Sequence, residues 1–546
     1  MDGTLLDLLE NRAVIDANRP VYSFLDRNSK IISTLSFRDV YEQAIMFAAV
    51  LQSKQCVGRP VLLYCPHGPT FIVAFFACIA AGAWPVPITR ARNGLDRLIS
   101  ACNAFAVVTT SRRAGILPAA MTSSGVQVLL IDEIRSRGEI YKRPAFSGSD
   151  TAFIQYTSGS TSSPKGIVIS HDNVMHNAAQ IQKAFTCNEN DIGVSWLPFH
   201  HDMGLIGHVI EPLYAGLHNY FISPVDFLAN PVRWLRAMSQ FGGTLSGGPD
   251  FAFELAAARI SEHELADLSL KKWRLAYCGA EKIRPESLRK FAQKFSTIAF
   301  EPTSFFPCYG LAESTLFVSG QHGISIQSPV QAENISASVC LGRPEPDTSI
   351  IIVNRNTGRK VAEGEIGEVC ISSPSVASSY YGDSVASRKT FNRIREYGKY
   401  YCRTGDRGFI RNRKLFLLGR YKTVIKRRGR SIHAEDIEAE MKRELSAQII
   451  SRCVAFETNE PDSGGLVVIL ERAKKSTTKG ECENSLSDQK LASRATAVVV
   501  AAIDVVPDDV CVLPANTLPL TSSGKIRRHL CPDIYLTRVK QVRRKR

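Results

Sequence analysis

The chain reads as an α/β protein of two domains, and three observations carry that reading. Its 546 residues exceed what a single hydrophobic core supports. Short buried-strand signatures alternate with helical stretches from the N-terminus onward, the pattern of a layered α/β domain. At Leu418-Gly-Arg-Tyr-Lys-Thr-Val-Ile-Lys426 the chain changes character: residues before it alternate as strands, and those after begin a compact unit of about 120 residues, an ordinary size for a small domain. The expected division is 1–420 and 421–546.

Leu5 to Leu9 is amphipathic, Pro20-Val-Tyr-Ser-Phe-Leu25 is a strand, and Asp26 to Lys30 is a turn. Ser36 caps a helix start. Strands at Pro60–Tyr64, Ala106–Thr110 and Val126–Ile131 alternate with helices over 40–52, 70–82 and 94–104. The apolar run Phe71 to Ile88 approaches the length of a membrane span, but Gly82, Pro85 and Pro87 divide it into a core helix of roughly a dozen residues and a buried strand. Thr151-Ala-Phe-Ile-Gln-Tyr156 and Ile167-Val-Ile169 are strands around a polar loop, and Asp172 caps a helix reaching Ala184. A strand stopping at Pro198 passes through the elbow Phe199-His-His-Asp202 into a further helix. Phe251 to Ile260 is an apolar helix after the glycine-rich Gly242 to Gly248, and Leu275-Ala-Tyr-Cys278 is a strand ending in the corner Gly279-Ala-Glu281. Val318 to Pro344 is polar and irregular, whereas Ile366 to Pro374 and Ala377 to Gly382 are barrel-like β segments. Asp406 sits on a Thr-Gly-Asp turn, and Lys474 to Lys490 is a mobile linker.

A hydrophobic share of 44% and a charged share of 22% describe an ordinary soluble globular protein. The net charge of +15 suits nucleic acid, anionic lipid or an acidic protein, but no nucleic-acid-binding signature accompanies it. The 14 cysteines contain no Cys-x-x-Cys pair, and Asp2 and Asp7 stand where a signal peptide carries basic residues, so a reducing, cytoplasmic setting is expected.

The chemistry centres on Tyr156-Thr-Ser-Gly-Ser-Thr-Ser-Ser-Pro-Lys-Gly166. Hydroxyls at Thr157, Ser158, Ser160 and Thr161, the freedom of Gly159 and the cation of Lys165 are what a polyphosphate needs from a loop. It is not a Walker A motif, which requires glycine before the lysine and a hydroxyl residue after it. A Ser-rich surface turn would explain a looser cluster, but this string resembles the phosphate loop of the adenylate-forming superfamily: acyl-CoA synthetases, luciferases, non-ribosomal adenylation domains and fatty acyl-AMP ligases. Trp196-Leu-Pro-Phe-His-His-Asp-Met-Gly-Leu-Ile-Gly207 and Arg428-Gly-Arg430 resemble the fatty acyl-AMP ligases in particular, and Pro519-Leu-Thr-Ser-Ser-Gly-Lys525 resembles the superfamily's C-terminal lysine motif.

That resemblance implies a large N-terminal domain of layered sheets, helices and a distorted β-barrel that binds ATP and fatty acid, followed by a small mobile α+β domain hinged at Lys422. In it, Lys165 and the loop hydroxyls orient the leaving phosphates; Gly279, Ala280 and Glu281 seat the adenine; and Tyr309, within Tyr309-Gly310-Leu311-Ala312, stacks on it. Glu313 holds Mg²⁺, for which a lone carboxylate suffices beside phosphate oxygens and water. Asp406 and Arg420 fix the ribose, and Lys525 bridges carboxylate and phosphate. His201, Asp202, Gly204 and Ile206, with Gly247, Gly248 and Phe251, belong to the acyl pocket; a metal at His200-His201 lacks a third ligand, so His201 is a pocket residue. The segment after Glu313 is shorter than the restraining insertion of these ligases.

The expected activity is ATP-dependent formation of fatty acyl-AMP with release of pyrophosphate, then transfer to the phosphopantetheine thiol of an acyl carrier protein or a polyketide or non-ribosomal synthase carrier domain supplied in trans. An acyl-CoA synthetase is the alternative. An amino-acid adenylation domain would need an acid for the substrate ammonium, with Asp202 and Asp250 as candidates, and a non-catalytic binding protein is disfavoured because Lys165, Glu313, Asp406 and Lys525 are all present.

Overall fold

The computed structural model describes residues 3–88, 95–117, 125–133, 139–157, 165–328, 338–394, 398–427, 430–445, 449–458, 465–473, 486–503, 505–521 and 525–543. These divide into two compact units, one within 1–157, 164–404 and 408–418, the other within 405–407 and 419–546.

The first unit is organised by a nine-stranded sheet ordered Arg343–Pro344, Phe317–Gly320, Phe305–Gly310, Leu275–Cys278, Leu245–Gly248, Ile192–Ser195, His218–Phe221, Pro20–Leu25, Ile31–Ser36. Its interior pairs are parallel and its outermost ones antiparallel. A second sheet, Trp84–Pro87, Pro60–Leu63, Ala106–Thr109, Gln127–Leu130, is parallel throughout, with the two prolines on an edge strand where no ladder donor is lost. A third, antiparallel sheet joins Thr151–Thr157, Lys165–Ser170 and Ser379–Tyr380. Of the two barrel-like segments, Ile366 to Pro374 supplies strand Gly367–Ser372 to a five-stranded sheet with Ser349–Val353, Phe391–Ile394, Lys399–Arg411 and Lys414–Arg420, whereas Ala377 to Gly382 supplies Ser379–Tyr380 to the third sheet instead.

Local chemistry accounts for the helices around these sheets. Helix Pro69–Ala81 is buried from Phe71 onward, starts on Pro69 and stops at Gly82, whose φ of 76° is left-handed. It is far too short for a bilayer, and no described helix is long and apolar enough to cross a membrane. Ser36 caps helix Phe37–Ser53 through a reciprocal box with Asp39. The helix expected to be capped by Asp172 is instead capped by Ser170, which exchanges hydrogen bonds with Asn173, so it runs His171–Phe185. Val318 to Pro344 is less irregular than its composition suggests, since short strands at Phe317–Gly320, Ile326–Gln327, Ser338–Val339 and Arg343–Pro344 occur within it.

The second unit packs helices Ala434–Glu444 and Asp488–Ile503 on the sheet Ile450–Thr458, Gly465–Arg472, Asp509–Leu513, with Ile437, Met441, Val468, Leu470 and Leu491 in its core. Lys490, expected in the linker, lies in the second of these helices; 474–485 are outside the described residues.

Candidate active site

In open α/β sheets, ligands gather at the carboxyl ends of the strands. Here strands Leu275–Cys278 and Phe305–Gly310 run parallel and adjacent, and their ends present Gly279 and Ala280 beside Tyr309 and Gly310. A Cβ on Gly279 would stand 2.9 Å from the Cys308 carbonyl oxygen, so only glycine allows this approach. Ala280 has a φ of 65°, a costly conformation for a residue with a Cβ and one that recurs at ligand sites. All four line a largely apolar cavity of about 60 Å³, shared with Ile181, Phe185, Asp202, Met203, Gly207, His208, Tyr277, Cys308, Leu316 and Phe317. The corner Gly279–Ala280, Tyr309–Gly310 and the Trp196–Gly207 motif, remote in sequence, thus face one space.

His208 and Tyr277 were not legible as site residues. His208 lies in a π-helical turn, Ile206–Ile210, inside the stretch Asp202–Ala215. Its Nδ1 donates to Asn219 Oδ1 at 2.8 Å, leaving Nε2 to accept from the Tyr277 hydroxyl at 2.5 Å. Burial lowers the pKa of His208 to about 4 and raises that of Tyr277 well above its usual value, so both are neutral. The pocket therefore has a polar, uncharged element in an apolar wall.

Three side chains gather where the third sheet meets the loop after Gly310. Lys165 opens strand Lys165–Ser170, and Gly166 must be glycine because a Cβ there would lie 2.6 Å from the Tyr156 ring. Glu313 lies in the single turn Ala312–Ser314 and accepts from the Tyr380 hydroxyl at 2.8 Å through Oε1. Lys165 Nζ stands 4.6 Å from the centre of the Tyr380 ring. Among the described residues none bonds to Glu313 Oε2, and no cluster of three His, Cys, Asp or Glu offers an alternative cation site.

Of the remaining acyl-pocket candidates, Asp202 is on the cavity wall, and His201, Gly204, Ile206, Gly247, Gly248 and Phe251 are not among its lining residues. His201 starts the helix that carries the wall: its Nδ1 is 2.6 Å from Asp202 Oδ1, which also accepts from the Met203 N–H at 2.8 Å. Gly204 faces the Pro198 carbonyl, Gly247 that of Tyr277, and Gly248 the Trp196 ring, each too near for a Cβ. Ile206 is fully buried in the main core. Phe251 meets Trp196 edge to face at 6.0 Å, and its N–H donates to Glu281 Oε1 at 2.8 Å, so Glu281 ties the corner to helix Asp250–Arg259. Leu311 and Ala312 are buried in the turn that presents Glu313.

In the second unit, Asp406 is 5% exposed and pairs with Arg420 Nε at 2.8 Å. It was expected on a turn but stands within strand Lys399–Arg411, kinked by Gly405 at a φ of 71°. Lys422 lies in the single turn Tyr421–Thr423 that follows strand Lys414–Arg420. Thr521 N–H donates to the Lys525 carbonyl at 2.7 Å, and Thr521 Oγ1 accepts from the Lys525 N–H at 3.0 Å. Ser158, Gly159, Ser160 and Thr161 of the phosphate loop, the Thr157 side chain, and Arg428 lie outside the described residues.

This fold and these motifs define an adenylate-forming protein. The chain belongs to the AMP-binding enzyme family, which matches residues 9–381. It is 31% identical to the medium-chain-fatty-acid–[acyl-carrier-protein] ligase JamA of Moorena producens over 98% of this chain and 95% of that protein. It is 30% identical to the ligase of the same description, TtuA, of Teredinibacter turnerae over 94% of this chain and 90% of the relative. Among solved structures, one from a study of the fatty acyl-adenylate ligases of E. coli and L. pneumophila superposes with a TM-score of 0.85 at 30% identity, covering 99% of this chain and 98% of the other.

Proposed function

We propose that this protein activates a fatty acid with ATP, forming fatty acyl-AMP and releasing pyrophosphate, and then passes the acyl group to the phosphopantetheine thiol of an acyl carrier protein. The observation that carries the reading is one cavity lined by Gly279, Ala280, Tyr309 and Gly310 together with Asp202, Met203 and His208, which supports a nucleotide end and an acyl end meeting there.

In the first half-reaction a carboxylate oxygen attacks the α-phosphorus of ATP and the bond to pyrophosphate breaks; in the second, a thiolate attacks the acyl carbonyl and AMP leaves. Both steps depend on positioning and on charge placed where it develops. Tyr309 and the Gly279–Ala280 corner take the adenine, Asp406 and Arg420 the ribose, and Lys165 with the loop Thr157–Thr161 the leaving phosphates. Lys525, on a C-terminal domain of residues 421–546 hinged at Lys422, meets the charge growing between carboxylate and α-phosphate. Mg²⁺, when bound, neutralises phosphate charge, and Glu313, whose Oε2 is taken by no described residue, is the residue that fits it. A cytoplasmic location suits the supply of ATP and carrier.

Pyrophosphate release is to be followed against a panel of saturated and amino acids, and thioester formation by intact mass with CoA or a holo carrier protein. Release dependent on fatty acid, with acyl transfer to the carrier, is expected; efficient acyl-CoA formation or a preference for amino acids would overturn the reading.

A further inference from the structure

Strand Ser379–Tyr380 is only two residues long, yet it is held from several sides. Tyr380 pairs with Ile167 of strand Lys165–Ser170, and the Tyr381 N–H donates to the Gly166 carbonyl at 2.7 Å. The Tyr380 N–H donates to Ser387 Oγ at 2.9 Å, and the Phe391 ring lies 5.2 Å from the Tyr380 ring. This fixed ring reaches Glu313 with its hydroxyl and Lys165 with its face.

The same segment grips the backbone of the Glu313 loop. The Ala377 N–H donates to the Glu313 carbonyl at 2.9 Å, and Thr315 Oγ1 donates to the Ser375 carbonyl at 2.7 Å. Thr315 has φ 64° and ψ −67°, and the Leu316 N–H donates to the Ser314 carbonyl at 2.7 Å. That is a γ-turn of the strained form, centred on a buried β-branched residue; such a turn persists only where its surroundings impose it.

We infer that Tyr380 is a positioning residue that keeps Glu313 and Lys165 separately available to the metal–triphosphate group; this rests on the roles proposed above for those two residues. A carboxylate and an ammonium this close to one ring would spend their charges on each other if they paired directly. No ion pair joins them: the ammonium rests on the π face, and the carboxylate accepts the hydroxyl at the ring's edge. The hydroxyl is a neutral donor, so it fixes the plane of the carboxylate through Oε1 without an opposing charge, and no described residue takes Oε2. Outer partners of this kind typically tune metal affinity by about 10- to 100-fold.

The test uses Tyr380→Phe, Tyr380→Leu and Glu313→Gln in the full chain. Mn²⁺ binding is followed by electron paramagnetic resonance with ATP present and fatty acid omitted, so the readout needs no turnover, alongside thermal midpoints and the KM for ATP. Tyr380→Phe keeps the ring and removes the hydroxyl; it should weaken Mn²⁺ binding by roughly tenfold with little change in midpoint or in KM for ATP at saturating metal. Tyr380→Leu should add a rise in KM for ATP as Lys165 loses its support. Wild-type Mn²⁺ binding by Tyr380→Phe, with weakened binding by Glu313→Gln, would overturn the inference and leave the Glu313 reading standing. Unchanged Mn²⁺ binding by Glu313→Gln would overturn that reading itself.

Discussion

Replacing Arg284 by Met should destabilise the first unit strongly, and in a way that eases with acid. Asp250, the first residue of helix Asp250–Arg259, is fully buried. Its carboxylate accepts from Arg284 Nε at 2.7 Å, from Ser287 Oγ at 3.1 Å and from the Arg284 backbone N–H at 3.1 Å, and Arg284 Nη2 stands 2.6 Å away. Burial pushes its pKa up to about 6, against the pull of the Arg284 guanidinium. Removing one partner of a buried ion pair costs about 3–5 kcal/mol, because the remaining charge is stranded. Met retains most of the stem, while the Ser287 hydroxyl and the backbone N–H remain on the carboxylate, so the lower end, about 3 kcal/mol, is expected.

The pH dependence follows from the sign. A carboxylate whose folded pKa lies above its unfolded value carries no penalty below the unfolded value near 3.8; the penalty appears as pH rises through the folded pKa. Without Arg284 the folded pKa rises further, so the gap between variant and wild type should be widest at pH 7.5 and narrow by pH 5. Asp250→Asn combined with Arg284→Met removes the stranded charge and should recover most of the loss. Urea unfolding of the four proteins at both pH values is the assay. An Arg284→Met loss below about 1 kcal/mol, or a gap that widens on acidification, would refute the reasoning. The same geometry bears on substrate class: a carboxylate committed to Arg284 and Ser287, and absent from the cavity wall, has nothing to offer an amino acid's ammonium.

On the role proposed for it, in which its charge acts mainly in the transition state, Lys525→Ala should lower acyl-AMP formation by about two orders of magnitude or more while ATP binding, measured by calorimetry, is nearly unchanged. Asp406→Asn removes the buried charge beside Arg420 and should raise the KM for ATP by roughly tenfold with a smaller effect on kcat; an unchanged KM would argue against the ribose role. Burial depresses the pKa of His67 and His200 to about 3 and of His171, His208 and His218 to about 4. Their neutral forms contribute stability that is present above about 6.5 and lost as pH falls towards those values, so urea midpoints should drop steeply between pH 6.5 and 5; a flat profile would contradict it.

What was legible in the sequence was local. Helix Pro69–Ala81 was readable because Pro69, an unbroken apolar run and Gly82 all act within one element. The cap at Ser170 was also readable in principle, because Asn173 stands three residues on; Asp172 is an equally good capping type, and only the reciprocal bonds separate them. Asp406 in its strand was harder, since Thr-Gly-Asp is turn chemistry until a partner strand claims the flanking backbone. The Tyr380 contacts were out of reach: residue 380 comes to Lys165 through sheet pairing and to Glu313 through a loop-to-loop hydrogen bond, and no periodicity reports side chains so distant in sequence.

His208 shows how a local signal can be present and still mislead. In Ile206-Gly-His-Val-Ile-Glu-Pro212, a proline four residues after the histidine reads as a helix break, because Pro212 has no N–H for the His208 carbonyl and its ring crowds that oxygen. The structure resolves the conflict without breaking the helix: the turn widens, and the Glu211 N–H reaches back five residues to the Ile206 carbonyl. A wider turn changes the direction in which its side chains leave the axis, and here His208 meets Asn219 and Tyr277 at the cavity. The proline that would have ended the element in a pattern-based reading therefore accounts for the turn that supplies the pocket with its neutral polar group, and the imidazole stays neutral because the same burial that seats it withholds water from its charged form.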